Sequence, residues 1–84
     1  MIKIFDVVAL LNPIPNNLLT LVEPEYQSIE YLPKGQIGTV VEIDEFEDKL
    51  YYLIEFSDNN GCEYAMARLT ENELLVLHEE LLLV

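Results

Sequence analysis

The densest group of side chains that could do chemistry is a run of carboxylates in the middle of the chain. Four acids crowd this short segment: Asp44, Glu45, Glu47 and Asp48. A calcium-binding loop needs acids at alternating positions, a glycine at its sixth position and a final bidentate glutamate. Residues 44–49 contain no glycine, and in residues 58–61 the glycine comes too early. The pattern therefore predicts solvated turn acids and no metal site.

One cysteine and one histidine are the next candidates, since Cys62 and His78 could act as a nucleophile and its base. Such a pair also needs an orienting third group and an oxyanion site. No cation near Cys62 in the sequence would lower the pKa of its thiol. One cysteine and one histidine also cannot form a structural zinc site. We therefore expect no catalytic residue, no cofactor and no enzymatic activity.

Tyrosines are a third candidate, because aromatic side chains on small β-barrels stack on nucleic-acid bases. The five are Tyr26, Tyr31, Tyr51, Tyr52 and Tyr64. No basic residues lie between them to hold a phosphate backbone. We expect these rings to pack in the core with their hydroxyl groups at its rim.

The charge of the chain restricts its partners. Sixteen acids against four bases give a formal net charge of −12. The bases are scattered singly: Lys3, Lys34, Lys49 and Arg68. Nucleic acid and anionic membranes should repel such a chain, whereas a basic protein should be attracted to it. The charge could equally serve only to keep an unusually apolar domain soluble.

Length and composition predict the number of domains and the compartment of the protein. With 84 residues, the chain is expected to form one domain over 1–84. No apolar run approaches the roughly 18 residues that a membrane helix requires. The first residues carry no signal-peptide cleavage pattern, and a free cysteine fits a reducing compartment, so we expect a cytoplasmic protein.

β-Branched and aromatic runs separated by turn residues predict a mainly β fold. The expected strands cover residues 4–11, 36–43, 50–56, 63–69 and 75–78, with less certain extended pieces at 18–22 and 29–31. Residues 12–34 form a long loop, residues 44–49 an acidic turn and residues 57–61 a hairpin loop ending in Asn-Gly. The conformation of residues 79–84 stays open.

Two local signals refine this pattern. Gly38 lies inside an expected strand, which indicates a bulge, a bend or a close approach of the backbone to another group. Thr70 and Glu73 have the spacing of a capping box, which predicts one helical turn near the C-terminus. Meandering strands of this kind favour a small closed barrel, because closure removes exposed sheet edges.

Several segments resemble a family of short bacterial proteins known as a domain of unknown function. They are residues 5–10 (FDVVAL), residues 32–42 (LPKGQIGTVVE), Glu55-Phe56, Asp58, Gly61, Tyr64-Ala65 and Leu69. The Gly35, Gly38 and Val40 core is also similar to the KOW motif and to other SH3-like barrels. This chain departs from the family pattern in its longer loop and in Cys62, which replaces a basic residue. The resemblance implies an SH3-like barrel of about five strands and no established activity.

The strands are apolar on both faces, although a single-layer barrel needs only one apolar face per strand. A second apolar layer must be covered, either by the long loop or by a partner protein. The residues that we expect at such an interface are Leu18, Leu21, Tyr51, Leu53, Tyr64 and Met66. The partner would be a basic protein or a second copy of the chain.

These observations favour a non-catalytic protein-interaction module, an acidic accessory or antitoxin-like protein. The alternative is a KOW-like module associated with nucleic acid, which the Gly35–Val40 pattern suggests and the net charge opposes.

Overall fold

The computed structural model describes residues 2–22 and 29–77 of the chain. This part is mainly β-structure, as the alternating and β-branched sequence predicts. Its strands are β1 (Val7–Leu10), β2 (Ile14–Pro15), β3 (Thr20–Leu21), β4 (Tyr31–Leu32), β5 (Ile37–Phe46), β6 (Lys49–Ser57), β7 (Glu63–Leu69) and β8 (Leu74–Leu77). Two short 3₁₀ turns, Asn16–Leu18 and Glu71–Glu73, complete the regular structure.

Six of the strands form one antiparallel sheet in the order β3-β7-β6-β5-β1-β8, and β2 pairs with β4 in a separate ribbon. The predicted closed barrel does not form in the described part of the chain. Its sheet is open, with β3 at one edge and β8 at the other. The reason is that the free edge of β7 pairs with β3 from the long loop, while β8 spans only Leu74–Leu77 and pairs with β1.

The two hairpins form at different kinds of turn. The β5–β6 hairpin runs further than the sequence suggests, because Phe46 pairs directly with Lys49. Its two-residue turn, Glu47 and Asp48, has φ values of 50° and 66°, which two-residue hairpin turns require and most non-glycine residues avoid. The predicted acidic turn 44–49 is thus wrong in extent, since residues 44–46 are strand.

The β6–β7 loop matches its prediction more closely. Gly61 has a φ of 80°, the left-handed conformation expected of a turn glycine. The Asp58 side chain orders the loop from within, because its Oδ1 accepts hydrogen bonds from the backbone N–H groups of Asn60 (2.9 Å) and Cys62 (3.0 Å). Asp58 therefore fixes the hairpin that Gly61 permits.

One face of the sheet, which we call the inner face, carries the hydrophobic core. Tyr52 and Phe56 are its largest fully buried side chains. Gly38 lies beneath Ile54 and Phe56 for a clear steric reason: a Cβ at this position would lie 2.6 Å from Ile54 Cγ2 and 2.9 Å from Phe56 Cδ1. Among the three alternatives that its sequence position allowed, Gly38 is therefore a site of close approach. The bulge lies elsewhere, between Val40 and Glu42.

The long loop packs on this same core. Ile14 and Leu32 are buried in it, and Leu19 and Leu21 lie against it. The described part of the loop thus contributes to the inner layer of the protein.

The capping box also forms as predicted. Glu73 Oε2 accepts a hydrogen bond from the Thr70 backbone N–H at 2.7 Å, and the single 3₁₀ turn leads directly into β8.

Candidate functional site

The outer face of the sheet, opposite the core, carries a group of exposed apolar side chains where β5, β1 and β8 lie side by side. Ala9 of β1 is flanked directly by Ile37 of β5 and by Leu75 of β8. In the next row, Val7 has Leu77 as its neighbour on β8. Directly paired residues project from the same face of a sheet. We call these five residues, Val7, Ala9, Ile37, Leu75 and Leu77, the outer apolar patch.

Exposure distinguishes this patch from ordinary core. Val7 is 37% exposed, Ile37 46% and Leu75 51%, whereas Ala9 between them is only 7% exposed. The small alanine therefore forms the floor of a shallow depression whose walls are the larger aliphatic side chains. Single exposed apolar residues are common, but adjacent ones on three neighbouring strands form a surface that favours contact with another protein.

Two carboxylates border this patch on the same face. Glu55 lies between Thr39, the neighbour of Val7, and Met66. Glu63 follows diagonally across the β6–β7 pair, opposite Ser57. Burial raises the pKa of Glu63, and the charge and hydrogen bonding of the nearby Glu55 carboxylate raise it further. The sheet thus holds two like charges together beside an apolar surface.

The far end of the same face forms an open groove of roughly 470 Å³, lined by Asp44, Glu45, Phe46, Tyr51 and Arg68. We call it the hairpin groove. Arg68 reaches across β6 to make ion pairs with Asp44 (3.2 Å) and Glu42 (3.7 Å). These ion pairs hold the Arg68 guanidinium. The aromatic walls of the groove are the exposed ring of Phe46 and the half-buried ring of Tyr51.

The structure distributes the six predicted interface residues over three environments. Tyr51, Leu53 and Met66 are half-buried on the outer face; Leu18 is exposed on the first 3₁₀ turn; Leu21 and Tyr64 pack with the core. Tyr64 turns inward because the β6–β7 register shifts between Phe56 and Ser57, so that Tyr64 and Ala65 both face a single partner residue. Burial raises the pKa of Tyr64, and the Asp58 charge adds to the effect.

Sequence reasoning missed the residues that the outer face brings together most closely. Ile37, Leu75 and Phe46 were not among the expected interface residues, although alternation along β5 and β8 carried the signal for the first two. Phe46 was overlooked because residues 44–49 were interpreted as a turn.

Comparison with known protein families provides the classification. The model of the family described as "Domain of unknown function (DUF4926)" matches residues 4–76. The chain belongs to this family. The match extends from the turn before β1 into β8, so the described sheet of this DUF4926 domain lies within it except for Leu77. No match was found among curated proteins or among solved structures.

The remaining candidate chemistry of the DUF4926 domain is dispersed. Cys62 is a free, exposed thiol in the β6–β7 loop, and His78 lies outside the described residues. Within residues 2–22 and 29–77, no three His, Cys, Asp or Glu side chains come together as a metal site would require. The same residues contain no helix with the length and apolarity needed to cross a membrane.

Proposed function

We propose that this DUF4926 domain is a non-catalytic protein-interaction module that docks a partner protein on its outer apolar patch. The observation that carries the proposal is the exposure of Val7, Ile37 and Leu75 side by side around the floor residue Ala9. Burying such aliphatic side chains against a partner gains about 25 cal/mol for each Å² of apolar surface removed from water. The described part of the long loop packs on the opposite face, so no loop residue among those described covers the patch.

Charge supports a basic partner over a second copy of the chain. The net charge of −12 would make two copies repel each other. A basic protein would instead be steered towards the surface, with its cations meeting Glu55 and Glu63 at the border of the patch. Charge steering mainly raises the association rate, while the apolar contact supplies most of the binding free energy.

For the fold, we propose an SH3-like arrangement as the finer description of the antiparallel sheet. It is supported by the strand order β8-β1-β5-β6-β7, which brings the last described strand beside the first. The bulge between Val40 and Glu42 gives further support, because bulges let a long strand bend around a small core.

The nucleic-acid alternative gains no support from the site. Arg68 is the one basic side chain on the β7 strand, and it is held by two carboxylates. A phosphate backbone would meet Glu55 and Glu63 on the same face.

Site-specific photo-cross-linking in the source cells tests the docking proposal. A photoreactive phenylalanine analogue replaces Ile37 or Leu75 in the patch, and Tyr31, an exposed residue on β4, serves as the control position. We expect the same heterologous protein to be cross-linked from both patch positions and not from Tyr31. Light scattering at several concentrations should give the monomer mass for the isolated chain.

Three results would contradict the proposal: equal cross-linking from Tyr31, adducts with a second copy of the chain, or no adduct from either patch position.

A further inference from the structure

We propose that the hairpin groove binds a cationic side chain of the same protein partner, most favourably an arginine in an extended, basic segment. This inference rests on the proposed function, since it names the chemistry of the partner at a second point on the outer face. The groove would act as a selective pocket, and the outer apolar patch as the main contact.

The walls of the groove fit a flat cation. Phe46 is 64% exposed near the end of β5, and Tyr51 stands on β6 next to Asp44. Aromatic faces attract cations through the negative charge above the ring, and guanidinium groups stack on them especially well. Phe46 is not part of the described core, so its ring is accessible to a ligand.

The charges around the groove favour the same ligand. Five carboxylates surround the end of the hairpin against two cations: Glu42, Asp44, Glu45, Glu47 and Asp48 against Lys49 and Arg68. Arg68 is occupied by Glu42 and Asp44, while Glu45 pairs with Leu50 and therefore projects from the opposite face of the hairpin. The excess of negative charge at the end of the hairpin attracts an incoming cation, which meets Asp44 on the groove face.

The position of Arg68 shows that this surface holds a guanidinium. Its ion pairs are half-exposed, and exposed pairs of this kind contribute little to stability. An incoming arginine can therefore compete with Arg68 for Asp44 at small cost. Arg68 acts as an internal competitor that a partner displaces.

The two surfaces lie on one strand. Ile37 and Phe46 are the first and last residues of β5, which places them about 30 Å apart at roughly 3.3 Å per residue. An extended segment of about nine residues would span both surfaces, so the partner segment is expected to carry an apolar group at one end and an arginine at the other.

Fluorescence anisotropy with a labelled hepta-arginine peptide tests the groove in the full-length chain. The double variant Glu42→Gln, Asp44→Asn removes the two carboxylates that pair with Arg68 on the groove face. Glu47→Gln, Asp48→Asn removes two charges from the adjacent turn. Phe46→Ser removes an aromatic wall of the groove. Its control is Leu50→Ser, because Leu50 is exposed on the opposite face of the hairpin.

We expect at least fivefold weaker peptide binding in the groove double variant and in Phe46→Ser, and less than a twofold change in both controls. Arg68→Gln should bind the peptide more tightly, because the internal competitor is gone. Any one of three results would overturn the proposal: equal losses of peptide affinity in the groove and turn variants, unchanged affinity in Phe46→Ser, or no gain of affinity in Arg68→Gln.

A further variant separates this inference from the docking proposal. Ile37→Ser should bind hepta-arginine like the unmodified chain and lose the partner. If hepta-arginine does not bind in the groove while cross-linking from Ile37 and Leu75 succeeds, the groove inference fails and the docking proposal stands. If hepta-arginine binds the groove while cross-linking from Ile37 and Leu75 fails, docking on the patch is contradicted and the affinity of the groove for arginine stands.

Discussion

The inner and outer faces of β5, β1 and β8 differ in what covers them. On β1, Val8 and Leu10 point inward and are almost completely buried, while Val7 on the outer face is exposed. On β8, Leu74 is buried and its neighbour Leu75 is exposed. The residue types on the two faces are nearly the same. Their environments differ because the described part of the long loop covers only the inner face.

This difference shows what apolar alternation can and cannot predict. Strands with apolar residues on both faces indicate two covered faces, and one of them is covered within the described part of the chain. The proposed docking function explains the other. The comparison can be tested with variants that affect one face and spare the other.

The largest contrast should come from two neighbouring leucines. Leu74→Ala removes a side chain that is 6% exposed and should cost about 2–5 kcal/mol of the free energy of unfolding. Leu75→Ala removes the same atoms from the outer face and should change it by less than about 0.5 kcal/mol. Urea unfolding of both variants measures the difference. Similar losses would mean that the outer face is covered in the isolated chain.

A smaller loss of stability is expected from a substitution at Gly38, where the core is most tightly packed. Gly38→Ala places a methyl group against Ile54 and Phe56 and should cost about 1–3 kcal/mol. Ile54→Ala alone should cost about 2–5 kcal/mol. The double variant should lose less than the sum, because removing Ile54 Cγ2 makes room for the new methyl group. Strict additivity in thermal or urea unfolding would contradict this close approach.

The hairpin turn offers a stabilising change away from both the core and the patch. Replacing Glu47 with Asn and Asp48 with Gly supplies residues that tolerate positive φ and should raise the free energy of unfolding by about 1 kcal/mol. Glu47→Gln with Asp48→Ser removes the same charges without that benefit. Equal gains in the two variants would assign the effect to charge. Cross-linking from Ile37 should be unchanged in both.

The smallest expected effect concerns the carboxylates beside the patch. The raised pKa of Glu63 means that the folded protein holds this proton more tightly than the unfolded chain. Ionised Glu63 therefore lowers stability, and the penalty grows as pH rises from the ordinary glutamate pKa through the raised one.

Glu63→Gln should consequently stabilise the protein by about 0.2–0.5 kcal/mol at neutral pH, a value reduced by solvent screening. At about pH 3.5, where the unfolded glutamate is also protonated, the gain should vanish. Melting curves at both pH values measure it, with Glu30→Gln, an exposed loop residue, as control. A gain of equal size at both pH values would rule out the charge contact with Glu55 as its cause.

Much of the fold followed from local sequence signals. Strand β7 has the bounds predicted from its residues, and Gly61 and the Thr70–Glu73 capping box lie where their types and spacing place them. The end of β5 was harder to predict, because the turn uses Glu47 and Asp48 in a conformation typical of Asn and Gly.

The outer apolar patch and the hairpin groove were less predictable, because they depend on pairing between distant strands. Leu75 becomes part of the patch only because β8 pairs with β1, and alternation alone does not say which strands are neighbours. Tyr64 turns inward through a one-residue register shift that local residue preferences do not encode. The groove likewise depends on Arg68 reaching across β6 to the end of β5.

The pairing of β1 with β8 has a consequence for biosynthesis. Val7 lies in the first strand of the sheet, and its partner Leu77 is made only after every other strand of the sheet. A nascent chain therefore displays β1 with one unpaired edge until β8 emerges, and contacts so distant in sequence form slowly. An unpaired strand edge is a site at which chains can aggregate, so pairing with β8 completes the protection of β1.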